Sequence, residues 1–250
     1  MVAVGRGNLP ESDRLLVAYS GGKDSLATLD LCVRAGKDVE AFFMFFLPGM
    51  DYTAFWCDYA ERRFDIKVHQ VQHWNTSYYL RRAVFCEGRP DCPEVGHNDV
   101  EAAVRLRTGI NWVGYGYKLV DSPSRRSYMT FMSAWCSCGE KPPKCQCRPR
   151  DGICSKLQRF SPIMNWTDRD VFAYLSRRRI QIPDASRKVN GIDLLPSTLA
   201  QMREQWPADY QRILRVFPYA EGQADRAAVL ARNKNRAPAI RVPGDESRTD

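Results

Sequence analysis

The hexapeptide Ser20-Gly21-Gly22-Lys23-Asp24-Ser25 sets hydroxyls, an ammonium and a carboxylate around paired glycines. Glycines carry no Cβ, so backbone can close on a ligand, and the free N–H groups of a following helix start point at whatever sits there. An anion suits that position. Ser20 and Ser25 add hydroxyl donors, Lys23 a mobile positive charge, and Asp24 a carboxylate fit for Mg2+ or for capping the helix. In chemical outline this is a phosphate cradle, although a plain Gly-Gly turn ahead of a helix shares part of the pattern. The spacing is not that of a Walker loop, and it is not the dinucleotide-binding Gly-x-Gly-x-x-Gly.

The elements that must hold this turn alternate along the chain. Residues 15–18 are an apolar run of the kind a buried parallel strand needs, and 25–32 place Leu26, Leu29 and Leu31 at roughly helical intervals. A continuous apolar run over 39–47, bounded by Asp38 and Pro48, reads as a second buried strand. A helix is predicted over 51–64, a third strand over 66–74, helices over 77–86 and 98–108, and a fourth strand over 110–120. Such alternation implies right-handed crossovers and a parallel sheet covered on both faces. Ligands of such sheets sit at the carboxyl ends of the strands, where Ser20 to Ser25 fall.

The second half adds two segments. Residues 117–129 carry Ser122, Pro123, Ser124, Arg125 and Arg126; adjacent guanidiniums at a strand end could clamp a phosphate or sulfate, and Ser122 with Pro123 also reads as a helix start. In 159–180, Thr167 caps a helix with Asp170 three residues on, and Val171, Phe172 and Leu175 form its expected buried face.

Ser20-Gly21-Gly22-Lys23-Asp24-Ser25, following a strand, resembles the SGGxDS signature of the PP-loop (ATP pyrophosphatase) superfamily. With the segments 121–126 and 162–175 in that order, residues 14–185 resemble the phosphoadenosine phosphosulfate (PAPS) reductase family within it. The resemblance implies a three-layer parallel-sheet PP-loop fold, adenine nucleotide alpha hydrolase-like, that binds ATP or PAPS. It implies nucleotide contacts from Ser20, Gly21, Gly22, Lys23, Asp24, Ser25, Ser122 and Arg125, and catalytic roles for Lys23, Asp24, Arg125 and Arg126.

Two mechanisms use that cradle. In one, ATP sits on the loop with Mg2+, an acceptor oxygen attacks the α-phosphorus, pyrophosphate leaves, and sulfur or nitrogen displaces the adenylated group. In the other, a thiol reduces PAPS and sulfite is released. Reductases of the resembled family carry a Glu-Cys-Gly-x-His thiol near the C-terminus, whereas no cysteine follows Cys154 here. That departure favours adenylation with a sulfur-transfer outcome. A nucleotide- or nucleic-acid-binding protein without turnover is a reading from another class, consistent with the net charge of +8 and the Arg177-Arg178-Arg179 run.

Nine cysteines without a legible secretory leader argue for thiols or metal ligands in a cytoplasmic protein, and no apolar stretch is long enough to span a membrane. Cys136, Cys138, Cys145, Cys147 and Cys154 fall in an insert over 136–154 rich in Pro, Gly and Lys, expected to gain its order from Zn2+ or an iron–sulfur cluster, or else to be a thiol-bearing loop. Cys86 and Cys92, with His97 nearby, form a weaker group. Cys32 and Cys57 read as core, and His69 and His73 as ordinary strand-end side chains.

Residues 1–185 thus read as the nucleotide-binding domain, 186–233 as a C-terminal helical extension striped with Met202, Trp206, Tyr210, Ile213, Leu214 and Phe217, and 234–250 as a disordered tail. The partners expected are an adenine nucleotide, a nucleic acid or sulfur carrier, and a second copy as a homodimer.

Overall fold

The computed structural model describes residues 8–133, 152–182, 193–226 and 229. The first two apolar runs form the sheet centre: β1 (Arg14–Tyr19) and β2 (Asp38–Phe45) pair in parallel, with Leu15 opposite Val39 and Tyr19 opposite Phe43. β3 (Lys67–Gln72) extends the sheet beyond β2, and β4 (Val113–Gly114) flanks β1 on its other side. The antiparallel pair β5 (Ile153–Cys154) and β6 (Arg159–Phe160) completes the order β3-β2-β1-β4-β6-β5.

Helices cover both faces, as the alternation predicts. On one side lie α1 (Lys23–Arg34) and α2 (Asp51–Phe64); α3 (Trp74–Arg81) follows β3; α4 (His97–Thr108) covers the opposite side; α5 (Pro123–Ser133) lies beside β5. α6 (Asp168–Arg177), α7 (Pro196–Gln205) and α8 (Pro207–Val216) join the first side. Leu15, Val17, Leu26, Leu29, Trp56, Val171, Leu175, Leu199, Met202 and Ile213 share its core, while Leu16, Phe42, Val104, Ile110, Val113 and Tyr115 form the smaller core opposite. Each such buried aliphatic or aromatic side chain contributes about 1.5–3 kcal/mol. The fold class is three-layer α/β, and no described helix is long and apolar enough to cross a membrane.

Three local expectations change, and one strand pair has no counterpart in the sequence reading. The fourth strand is confined to Val113–Gly114, because beyond it Gly116 presses on the Asp24–Ser25 peptide, where a Cβ would lie 2.7 Å from the Asp24 carbonyl carbon. The chain keeps single bonds to the neighbouring segment, Tyr115 N–H to the Phe160 carbonyl (2.8 Å) and Leu119 N–H to that of Met164 (2.9 Å). The helix predicted over 77–86 lies at Trp74–Arg81 and stops there, since Ala83 and Phe85 take positive φ of 53° and 59°. In α6 the capping box of Thr167 and Asp170 forms as expected, but Tyr174 rather than Phe172 is fully buried. The β5–β6 pair, two residues per strand, is too short to carry a period in the sequence.

α7 and α8, from the segment read as an extension, insert a functional group into the first-side core. α2 has no side-chain cap of its own, and Asp209 of α8, 0% exposed, supplies one: its carboxylate accepts from the backbone N–H of Asp51 (2.8 Å) and of Tyr52 (2.7 Å). Arg212 balances the charge at 2.6 Å. Replacing Asp209→Ala strips a charged cap from two N–H groups and is expected to cost about 2–3 kcal/mol. The check is a lowered urea midpoint with an unchanged slope; a shift under about 0.5 kcal/mol would show that water replaces the cap.

Candidate functional site

β1 ends at Tyr19 and α1 begins at Lys23, so the glycine turn sits at the carboxyl end of a central strand, on the axis of a helix. Gly21 takes φ +74°, a left-handed conformation that glycine adopts without penalty, and a Cβ there would meet the Trp56 ring at 3.4 Å. Ser25 braces the turn: its hydroxyl donates to the Gly22 carbonyl (2.9 Å) and accepts from the Ser20 N–H (3.2 Å). The Ser20 hydroxyl accepts from Gly22 N–H (3.3 Å). The hydroxyls read as phosphate donors are therefore turned inward here, holding the loop's shape.

Charges gather on Asp24. Lys23 Nζ lies 2.8 Å from its Oδ2, and Lys118 Nζ lies 2.7 Å from its Oδ1. Lys118, 0% exposed, also reaches Asp121 (2.8 Å) and Asp168 (3.3 Å), and Lys23 reaches Asp168 at 3.2 Å. Carboxylate oxygens of Asp24, Asp121 and Asp168 come within 4.8 Å of one another, and among the described residues this is the one cluster of three or more His, Cys, Asp or Glu side chains close enough to share an ion. Burial lowers the Lys118 ammonium, but its bonds to Asp121 and Asp24 outweigh that and hold its pKa above the usual lysine value. Partial burial raises the Asp168 carboxyl, and the charges of Lys23 and then Lys118 outweigh it, so it stays below the usual carboxylate range.

Of the residues that sequence reasoning singled out, Ser20, Gly21, Gly22, Lys23, Asp24 and Ser25 are thus together. Ser122 caps α5, accepting from Arg125 N–H at 3.0 Å. Arg125 lays its guanidinium 3.7 Å from the centre of the Tyr117 ring, and Arg126 donates to the Leu119 carbonyl (3.4 Å), so the two neighbours turn to different partners. Lys118, Asp121 and Asp168 were not recognised as site residues. The signal for Lys118 was a lone cation in the apolar run 110–120; Asp121 and Asp168 lay inside the two segments already noticed.

The five described cysteines scatter. Cys136, Cys138, Cys145 and Cys147 lie outside the described residues, as does the tail over 234–250; Cys154 is buried in β5. It lines a cavity of about 20 Å³ together with Tyr115, Tyr117, Tyr128, Arg159 and Ser161, room for a single water. Cys86 faces the Tyr79 carbonyl and Cys92 the Ser77 hydroxyl, so with His97 they form no shared ligand set. Cys32 and Cys57 are buried in the core, as expected; burial raises both thiols, Cys57 to about 12. His69 is not at a strand end but buried against Glu40 (2.5 Å), and His73 caps α3, accepting from Asn75 N–H.

No protein-family model matches the chain. No curated protein matches it either. Solved structures resemble it: the U34-tRNA thiolase NcsA from Methanococcus maripaludis with its 4Fe-4S cluster, at 12% identity and TM-score 0.41 over 88% of this chain and 75% of that one. A predicted subunit of tRNA methyltransferase from Methanocaldococcus jannaschii resembles it at 14% identity and TM-score 0.37, over 65% and 74%. The NH3-dependent NAD synthetase from Campylobacter jejuni, in complex with the nitrate ion, does so at 14% and 0.39, over 92% and 90%. At these identities and scores the likeness says nothing of activity.

The pairing sets a pH test. Lys118→Met keeps the stem and deletes the charge, leaving Asp121 without a cation and Lys23 alone between Asp24 and Asp168, so the variant is expected to be less stable than the parent near pH 7. A carboxylate held low when folded lends stability above its unfolded pKa and loses it as pH falls through the folded value. The parent therefore loses the part of this contribution that Lys118 adds to that of Lys23 on Asp168, and the Tm gap between parent and variant should narrow from about pH 7 to about pH 3. A gap that stays constant with pH would assign Lys118 to packing alone.

Proposed function

We propose that the chain is an ATP-using enzyme of the PP-loop type, which binds ATP at Ser20 to Ser25, releases pyrophosphate and adenylates an acceptor that then takes sulfur. The observation that carries this reading is the pair of ammonium groups on the two oxygens of Asp24, that of Lys23 from the start of α1 and that of Lys118 buried beneath the turn. Such a pair suits the charge that develops on a departing pyrophosphate. The work left to this chain is charge stabilisation and positioning: Lys23 and Lys118 offset negative charge, the first N–H groups of α1 face the phosphates, and Asp24 keeps both lysines in place.

Asp24, Asp121 and Asp168 form an all-oxygen donor set of the kind Mg2+ prefers, and Lys118 now shares those oxygens. These three would hold the metal, which supplies charge neutralisation to phosphoryl oxygens when bound. Arg125, stacked on Tyr117 without a carboxylate partner among the described residues, adds a cation beside the α5 start, with Ser122 as that helix's cap. Cys154, together with Cys136, Cys138, Cys145 and Cys147, would supply the thiolates for Zn2+ or an iron–sulfur cluster on the 136–154 insert. PAPS reduction is the competing reading of the same cradle.

An anaerobic assay with ATP and Mg2+, and separately with PAPS and a dithiol, tests the choice by following pyrophosphate and sulfite while recording each nucleotide's affinity. Pyrophosphate release, or clear preference for ATP, is expected. Lys118→Ala should lower pyrophosphate release about 100-fold, as expected for one lost electrostatic stabiliser of the transition state. Sulfite from PAPS with no ATP preference would overturn the reading.

A further inference from the structure

α1 and α6 run side by side in the same direction, since Asp168 at the start of α6 meets Lys23 at the start of α1, and Arg178 past the end of α6 meets Asp30 in the later half of α1. α2, like α1, returns antiparallel to the strands it connects. The last turns of all three therefore lie at the amino end of the sheet, away from Ser20 to Ser25. There the helix ends are tied together: Arg63 Nη2 donates to the Arg178 carbonyl (2.9 Å), Gln181 N–H donates to the Tyr59 hydroxyl (2.7 Å), and Tyr174 and Arg178 both hold Asp30.

Six arginines converge on that end: Arg34 from α1, Arg62 and Arg63 from α2, and Arg177, Arg178 and Arg179 from α6 and the residues after it. Arg178 is committed to Asp30. The other five are exposed, and none has a carboxylate within ion-pairing distance among the described residues. Arg34 touches the Tyr174 hydroxyl and Arg62 the Asp58 carbonyl, which leaves further donors on each fork. Asp58 and Asp65 are the exposed acids of the α2 end; Glu11, Asp13 and Asp38 lie at the strand starts beside Arg14, Lys37 and Lys67, so among the described residues exposed positive charge still exceeds negative at this end.

Favourable placement of cations at helix C-termini explains one or two of these residues per helix. It does not explain Arg179. That residue sits at φ +52°, the left-handed conformation just beyond α6 that glycine or asparagine adopts most readily, so an arginine is kept there against its backbone preference. The chemistry of the face is also selective. Among the described residues, no exposed large hydrophobic side chain belongs to these last turns, so they lack the apolar centre that a protein interface is built on. What it offers is planar, multiply donating cations, the group that pairs with two phosphate oxygens at once.

We propose that this arginine face docks the sugar–phosphate backbone of a nucleic acid, through charge and not through base reading. It is distinct from the nucleotide cradle, at the opposite end of the sheet, and does not depend on the chemistry proposed there. A backbone contact of this kind positions a strand without specifying sequence, and its strength falls with salt as condensed counterions are released.

The test is fluorescence anisotropy with a labelled hairpin RNA of arbitrary sequence, titrated with the full chain across about 50 to 200 mM salt. The triple variant Arg62→Gln/Arg63→Gln/Arg179→Gln is expected to bind at least 10-fold more weakly and to flatten the slope of log affinity against log salt by about 2–3, one lost phosphate contact per residue. Arg82→Gln/Arg89→Gln/Arg215→Gln removes the same charge from exposed positions elsewhere and should leave affinity and slope within about twofold of the parent. Equal losses in both triples would reduce the effect to net charge and overturn the proposal, as would absence of binding by the parent. Circular dichroism and ATP affinity of the same preparations separate a folding defect from a docking defect, and a chain that binds RNA but not ATP would sink the nucleotide reading while leaving this one standing.

Discussion

A lysine ammonium without solvent contact is costly unless its charge is matched, and the organisation around the glycine turn follows from how Lys118 is matched. Its three carboxylate neighbours come from three separate pieces of chain: Asp24 from the first turn of α1, Asp121 from the approach to α5, Asp168 from the first turn of α6. One buried cation thus fixes the relative placement of two helices and the chain leaving β4. Removing any one carboxylate leaves the others to balance it, whereas removing the lysine leaves three carboxylates with Lys23 as their one remaining partner, so the centre is asymmetric in its tolerance.

The backbone pays for that arrangement locally. Lys118 reaches Asp24 because the segment after β4 leaves the sheet, and it can do so only because Gly116 lets two backbones meet, its α-carbon set against the Asp24–Ser25 peptide. The same peptide begins α1, whose N–H groups point into the turn. A shortened fourth strand, which looks like a weakness in the sheet, is therefore what delivers the ammonium. On the far side of the turn, Trp56 of α2 lies against Gly21, and α2 is itself capped by Asp209 from α8, so helices late in the chain support the loop through two intermediates.

Local chemistry made the loop, the two central strands and the Thr167–Asp170 cap legible in the sequence, because each is a pattern completed within a few residues. Lys118, Asp121 and Asp168 were not, because their pairing exists only after a crossover brings β4 beside β1; in one dimension a lysine in an apolar run is indistinguishable from a strand-end surface residue. Arg125 and Arg126 illustrate the opposite difficulty. Adjacent in sequence, they suggest a two-pronged clamp, but consecutive positions in a helix point about 100° apart, and one settles on Tyr117 while the other turns to the Leu119 carbonyl. The buried His69 was misplaced for a related reason: period two says which face a strand residue takes, not whether a partner such as Glu40 waits there.

The charge count around the turn constrains what it can accept. Lys23 and Lys118 carry two positive charges against the three formal negatives of Asp24, Asp121 and Asp168, so an anion arriving alone meets a centre already balanced toward negative, with only the α1 terminus in its favour. A phosphate-bearing ligand gains there only if something first relieves the lysines of their carboxylates. A divalent cation held by Asp24, Asp121 and Asp168 would supply that relief, neutralising the carboxylates and leaving the positive charge of Lys23 and Lys118 to the phosphate. In that sense the carboxylates are not opposed to anion binding. They hold the two lysines in position, where a ligand bringing its own counter-ion would find them.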